Sequence, residues 1–299
     1  MEDEILANSG IESDERNEID ESFISLTEVP LECCGNGCNP CILDVQKELT
    51  ESQYRSAKNN LLTLTSYKTF FVSSTLDFGD SYLLIKLNWK GDAAGKAVSL
   101  NPGQHVVLRI SSVTRPFTPL SWTSASLLFL VKLYEKGIFS QHLRQLKEGD
   151  SIDIRGPYGQ FVYNENSFGQ VIMLSIGTGI APMYSIAKSI IDNEMEETKV
   201  HLIAGFRSLN CVPLKKNLRV LSDYWNFTCT LQISQYGATD GMTGINIESG
   251  RLDKNKVSNL LESHCPETTL ILICGTPEFN ESVEHWVRGC NFNHLHVFK

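Results

Sequence analysis

Arg115-Pro116-Phe117-Thr118-Pro119-Leu120-Ser121 is the stretch on which the reading of this 299-residue chain turns. A guanidinium donates paired, charge-assisted hydrogen bonds, so Arg115 suits a pyrophosphate. Phe117 lies two residues on and therefore on the same strand face, where its ring can lie against a flat ring. Thr118 brings a hydroxyl to the other face or to a turn. The plainer reading is a strand end that carries two prolines, because short motifs also match by chance.

The flanking sequence weighs against the plain reading. Lys132-Leu133-Tyr134 ends an apolar, strand-like run, and Gly137-Ile138-Phe139-Ser140 opens a helix. A helix start offers unpaired N–H groups to an anion, although it is also an ordinary capping position. Arg155-Gly156-Pro157-Tyr158-Gly159-Gln160-Phe161 then reads as a tight turn. Around these pieces, Leu61–Phe71, Tyr82–Trp89, His105–Ile110, Leu127–Tyr134 and Ser151–Arg155 read as strands bounded by turn residues, with a short helix over Ser140–Leu146. Strands at this spacing predict an antiparallel barrel or sandwich.

From about residue 168 the rhythm becomes strand–helix alternation. Strands are predicted at Val171–Ile176, Val200–Ala204, Phe227–Ile233 and Leu270–Cys274. Helices are predicted from the Gly-Thr-Gly after Ile176 through Ile191, and at Val257–Leu261 and Glu278–Arg288. Residues 236–250 read as a mobile loop. The pattern predicts a parallel α/β sheet. Gly177-Thr178-Gly179-Ile180-Ala181-Pro182 joins a strand to a helix, where glycines admit a dinucleotide and the helix dipole favours its phosphates. Tight strand–helix packing alone gives the same pattern. Cys274 reads equally as a buried strand thiol.

On these motifs, residues 62–299 resemble the ferredoxin-NADP reductase superfamily, most closely its NADH-cytochrome b5 reductase branch. The resemblance implies an antiparallel Greek-key FAD-binding barrel at 61–167 and a Rossmann-like NAD(P)-binding α/β domain at 168–299. It implies FAD binding by Arg115, Pro116, Phe117, Thr118, Ser121, Lys132, Gly137, Phe139 and Ser140. Nucleotide binding falls to Gly177, Thr178, Gly179, Pro182, Gly275 and Thr276. Thr118 would meet the reactive edge of the flavin, Cys274 would border the nicotinamide, and Phe298 would cover a flavin face. The implied reaction is hydride transfer from NADH to flavin, then single electrons to cytochrome b5, another haem protein, or a metal or quinone acceptor. The cofactors carry such chemistry, and no acid/base dyad is needed.

The chain departs from that family in places. Phe117 replaces a tyrosine, and only Glu135 and Lys136 separate Tyr134 from Gly137, where relatives carry a longer lysine-bearing loop. Ile176 stands for the first glycine of Gly-Gly-Thr-Gly-Ile-Thr-Pro, and Ala181 for its second threonine. Cys211 falls where the NADH-specific branch has an aspartate. Arg207 and Ser208 offer a 2′-phosphate contact, which would admit NADPH; the alternative is a solvated arginine.

Charge and cysteine usage frame the rest. The formal net charge is −9, yet residues 1–57 hold 14 acidic and 3 basic residues, against 21 and 23 in residues 58–299. Residues 1–32 are acidic and poor in apolar side chains, so disorder is expected. The acidity argues against nucleic acid as a partner. Neither a targeting segment nor a membrane span is legible, so a cytoplasmic protein is expected; a monomer is expected as well. Residues 33–60 form a cysteine-rich segment similar to the oxidoreductase-like region ahead of some such reductases. Cys34, Cys38 and Cys41 give three ligands of a zinc set, with Cys33 an awkward fourth, so no metal is assigned and thiol chemistry stays open. The competing expectation is a non-enzymatic nucleotide-binding scaffold with a redox-sensing or partner-binding cysteine module.

Overall fold

The computed structural model describes residues 59–78, 81–91, 95–235 and 242–299. The acidic stretch 1–32 and the cysteines at 33, 34, 38 and 41 lie outside the described residues.

The first half is a curled antiparallel sheet. Its strands are β1 (Lys68–Phe78), β2 (Tyr82–Asn88), β3 (His105–Ile110), β4 (Val113–Phe117), β5 (Pro119–Thr123), β6 (Ser126–Lys132) and β7 (Ser151–Tyr158), with helix α1 (Ile138–Gln145) between the last two. The strand order is β4-β3-β7-β1-β2-β6-β5. Strands β4 and β5 thus form opposite edges of the sheet, yet Thr118 alone separates them in sequence. Consecutive Cα atoms are ~3.8 Å apart, so the sheet must curl until its edges meet. The inward face is apolar: Phe70, Ile85, Leu87, Leu108, Leu127 and Phe129 are fully buried, and Phe139 and Leu143 of α1 join the same core.

The second half is a six-stranded parallel sheet. It comprises β8 (Gln170–Ile176), β9 (Lys199–Phe206), β10 (Phe227–Ile233), β11 (Asn246–Ser249), β12 (Thr269–Cys274) and β13 (Leu295–Phe298), in the order β11-β10-β9-β8-β12-β13. Helices α2 (Ile180–Ile191), α3 (Lys215–Ser222), α4 (Lys254–Leu261) and α5 (Pro277–Gly289) cover it. Val171 and Met173 share a core with α2 and α3, whereas Ile172 and Leu174 share one with α4 and α5. The order turns back between β8 and β12, and the carboxyl ends of strands at such a switch point form a crevice.

Several elements differ from the sequence reading. Leu61–Phe71 is not one strand: β1 starts at Lys68. Upstream, the Asn60 amide donates to Ser99 O (2.6 Å) and its Oδ1 accepts from Leu62 N (3.1 Å). Such side-chain bonds compete with a ladder. The motif stretch forms two strands, and both are edges, the place where sheets tolerate proline. β7 runs on to Tyr158 instead of ending in a tight turn at Arg155. Its pairing with β3 is irregular between His105 and Val107, which leaves Pro157 without a ladder bond to make. Helix α1 starts at Ile138, two residues before the predicted Ser140. Within the predicted 236–250 loop, Asn246–Ser249 pairs with β10 as an edge strand. Helix α3 and strand β13 were not read at all.

Candidate functional site

The barrel motif sits on the sheet's seam. Arg115 is exposed on β4, and its Nη1 donates to Thr114 O at 2.7 Å. Pro116 is also exposed, while Phe117, Thr118 and Ser121 are half-buried. The Phe117 ring stacks on Phe139 of α1, centroids 5.5 Å apart. Strand β4 is thereby tied to α1, the helix that Gly137 caps.

That helix start leaves backbone donors open. Gly137 caps α1 with no side-chain hydrogen bond, so the first-turn N–H groups have no side-chain acceptor. A Cβ on Gly137 would come within 3.2 Å of Ser140 Oγ. Ser140 is buried and its Oγ accepts from Tyr134 N at 3.0 Å, closing the short link from β6 to α1. Lys132 holds its Nζ 5.4 Å from the Tyr134 ring centroid, and Tyr134 itself is 58% exposed. Residues positioned like this suit a flavin dinucleotide: an exposed guanidinium, an open helix start and an exposed ring stand around one turn.

Two residues here were not singled out from sequence. Tyr134 is one. The other is His105, which pairs with Tyr158 of β7 and precedes Val106, the partner of Phe117. The His105 ring stacks on Tyr158 at 5.8 Å, and burial lowers its pKa to about 4. A histidine opening an apolar strand reads as core; only the strand pairing brings it beside the motif.

The nucleotide side gathers at the carboxyl ends of β8, β9 and β12. Gly177–Gly179 forms a single 3₁₀ turn leading into α2. Gly177 has φ +56°, and a Cβ there would meet nothing within 4 Å, so backbone and open space coincide. Gly179 serves packing instead: a Cβ would lie 2.1 Å from Cys274 O. Thr178 is half-buried and Pro182 is buried in the first turn of α2. Burial pushes the Cys274 thiol up to about 12, so it is neutral at physiological pH. Gly275 follows, and Thr276 Oγ1 caps α5 by accepting from Phe279 N at 3.3 Å. Arg207 is exposed at the end of β9, its Nε donating to Gln235 Oε1 (2.9 Å), and Ser208 Oγ donates to Cys211 Sγ (3.3 Å).

The two groups of residues meet through shared packing. Helix α2, which leaves the glycine turn, packs on β5, and Leu120 lies in one core with Ile180, Ala181 and Met183. Strand β6 also contacts the Gly177–Gly179 turn. Phe298 pairs with Cys274 across β12–β13. Its ring stands 5.4 Å from Phe161 and 4.6 Å from His296, and a Cβ on Gly103 would meet it at 3.1 Å. Phe298 therefore packs across to the barrel's Gly103.

Comparison with known proteins agrees with this geometry. Residues 79–163 match an oxidoreductase FAD-binding domain, and residues 173–285 an oxidoreductase NAD-binding domain. The chain is 30% identical over 302 residues to an NADH-cytochrome b5 reductase-like protein of Mus musculus, covering 90% of this chain and 93% of the relative. It is also 31% identical to NADH-cytochrome b5 reductase 1 of Dictyostelium discoideum, over 66% of this chain and 69% of that one. Among solved structures, the cytochrome b5 reductase domain of Ulva prolifera nitrate reductase superposes with a TM-score of 0.71 at 20% identity, over 80% of this chain and all of that one. The CS-b5R domains of human Ncb5or give 0.68 at 22%, over 78% and 70%. The chain belongs to the NADH-cytochrome b5 reductase-like family of FAD- and NAD-binding flavoprotein oxidoreductases.

Proposed function

We propose that this protein takes electrons from NADH and passes them to cytochrome b5 or a similar haem protein. The observation that carries the reading is the core shared by β5 and α2: the strand that continues the flavin motif and the helix that starts at the nucleotide turn are packed as one piece. When bound, the flavin and nicotinamide supply the hydride and single-electron chemistry. The chain positions them. Arg115 and the start of α1 hold phosphate, with Lys132, Pro116, Phe117, Phe139, Ser121 and Ser140 forming the rest of the flavin cradle. Thr118 offers its hydroxyl at the seam. Gly177, Thr178, Gly179 and Pro182 receive the nucleotide diphosphate, while Gly275 and Thr276 flank its nicotinamide end beside Cys274. The neutral Cys274 thiol adds no charge there. Phe298 shields the flavin side of the same crevice.

Arg207 and Ser208 at the end of β9 support use of NADPH beside NADH. Relatives such as the Dictyostelium protein are NADH-cytochrome b5 reductases, which supports cytochrome b5 as the acceptor. No helix among the described residues is long and apolar enough to cross a membrane. A cytoplasmic, monomeric protein with its flavin domain at 61–167 and its nucleotide domain at 168–299 completes the proposal. The visible spectrum tests it. The purified protein is expected to be yellow, to bleach under anaerobic NADH, and to recover its colour as added cytochrome b5 is reduced. A colourless protein without turnover would instead favour the nucleotide-binding scaffold.

A further inference from the structure

We propose that the Ile176 side chain sets the floor of the nucleotide crevice and weakens the hold of this reductase on NADH and NAD⁺. The inference rests on the functional reading above and concerns how tightly its nucleotide site binds.

Ile176 is the last residue of β8, flanked by β9 on one side and β12 on the other. Its two γ-carbons reach both neighbours. A Cβ on Gly205, at the end of β9, would meet Ile176 Cγ2 at 2.9 Å. A Cβ on Gly275, just past β12, would meet Ile176 Cγ1 at 2.6 Å. One branched side chain thus spans the crevice from strand end to strand end and uses the space those two glycines leave. It is only half-buried, so part of its surface remains open to the crevice. A β-branched side chain has few rotamers, so this one has little freedom to turn aside.

The rest of the turn offers little compensating room. Gly179 is pressed against the Cys274 carbonyl, and only Gly177 has open space around its α-carbon. A dinucleotide bound at a strand-order switch crosses the end of the central strand, with its pyrophosphate close to backbone N–H groups. Methyl groups at that crossing hold the phosphates off the backbone. They also place apolar surface beside a charged group, which leaves that group poorly solvated. Oxidised and reduced nucleotides are affected alike, so the effect falls on binding more than on the chemical step.

The test uses holoenzyme with Ile176→Ala and Ile176→Val, the second keeping the β-branched shape. NAD⁺ affinity is measured by calorimetric titration, which needs no turnover, beside KM and kcat for NADH, flavin content and a thermal melt. Trimming the side chain to Ala is expected to tighten NAD⁺ and lower the KM for NADH about tenfold, whereas Val, which keeps both γ-carbons, should stay near the wild type. Unchanged or weaker NAD⁺ binding in an Ile176→Ala protein that melts cooperatively would overturn the proposal, as would a Val variant that tightens as much as Ala. A wild-type protein that holds FAD but is reduced by neither nucleotide would overturn the functional reading; the NAD⁺ titrations would still decide the role of Ile176.

Discussion

Arg115 and His105 show how differently two residues of the proposed site present themselves. Arg115 announces itself by its company, a ring and a hydroxyl at fixed offsets, and the structure leaves its side chain exposed on the edge strand β4. Arg115→Ala is expected to weaken FAD retention about thirtyfold, the equivalent of ~2 kcal/mol for a lost charge-assisted contact. Flavin released on desalting measures it, and a full flavin complement in the variant would refute that role. His105 is legible only from the strand register, which pairs it with Tyr158. Burial depresses its pKa from the ordinary 6.5 to about 4, so the folded protein holds the neutral ring while the unfolded chain takes up a proton. The stability this contributes is complete above pH 6.5 and is lost as pH falls towards 4, by at most about 3 kcal/mol. Melts at pH 7 and pH 4.5 should show a smaller acid loss in His105→Gln than in the wild type.

Elements with clean alternation or unbroken apolar runs were legible: β2, β3, β6, β8, β9, β10 and β12 all fall where the pattern puts them. Those that depend on context were not. Strands β4 and β5 carry Pro116 and Pro119, which local rules count against a strand and which their edge positions permit. Helix α3 follows Leu214, held at φ +58°, a conformation the sequence does not announce for leucine. Strand β13 is four residues long and owes its existence to pairing with β12. The link from β6 to α1 is the element most open to a local test. Ser140 Oγ is the side-chain acceptor that secures Tyr134 N, so Ser140→Ala should cost about 1 kcal/mol of stability and loosen flavin binding together. Unfolding midpoint and FAD titration measure the two effects; a drop in stability alone would mean the hydroxyl serves only the fold.

At the scale of the whole molecule, the two halves were separable by rhythm, but the way they join was not. The joining residues are single and scattered: Gly103, Leu120, Phe161 and Phe298 carry no pattern of their own. Phe298→Ala removes a ring packed on Phe161 and His296 and should cost about 2 kcal/mol, seen as a lower unfolding midpoint. An unchanged midpoint would mean that the contact adds nothing to the union of the halves. The bridging of both sheet edges by Thr118 alone has its own consequence for what lengths of chain this fold admits. Surface turns elsewhere have slack for insertion, but here one added residue would shift β5 by one step against β6. Every side chain of β5 would then change face, carrying Leu120 out of the core that α2 shares and Ser121 into it. Insertions and deletions should therefore fall in the surface turns elsewhere across descendants of the fold, while this joint keeps its length.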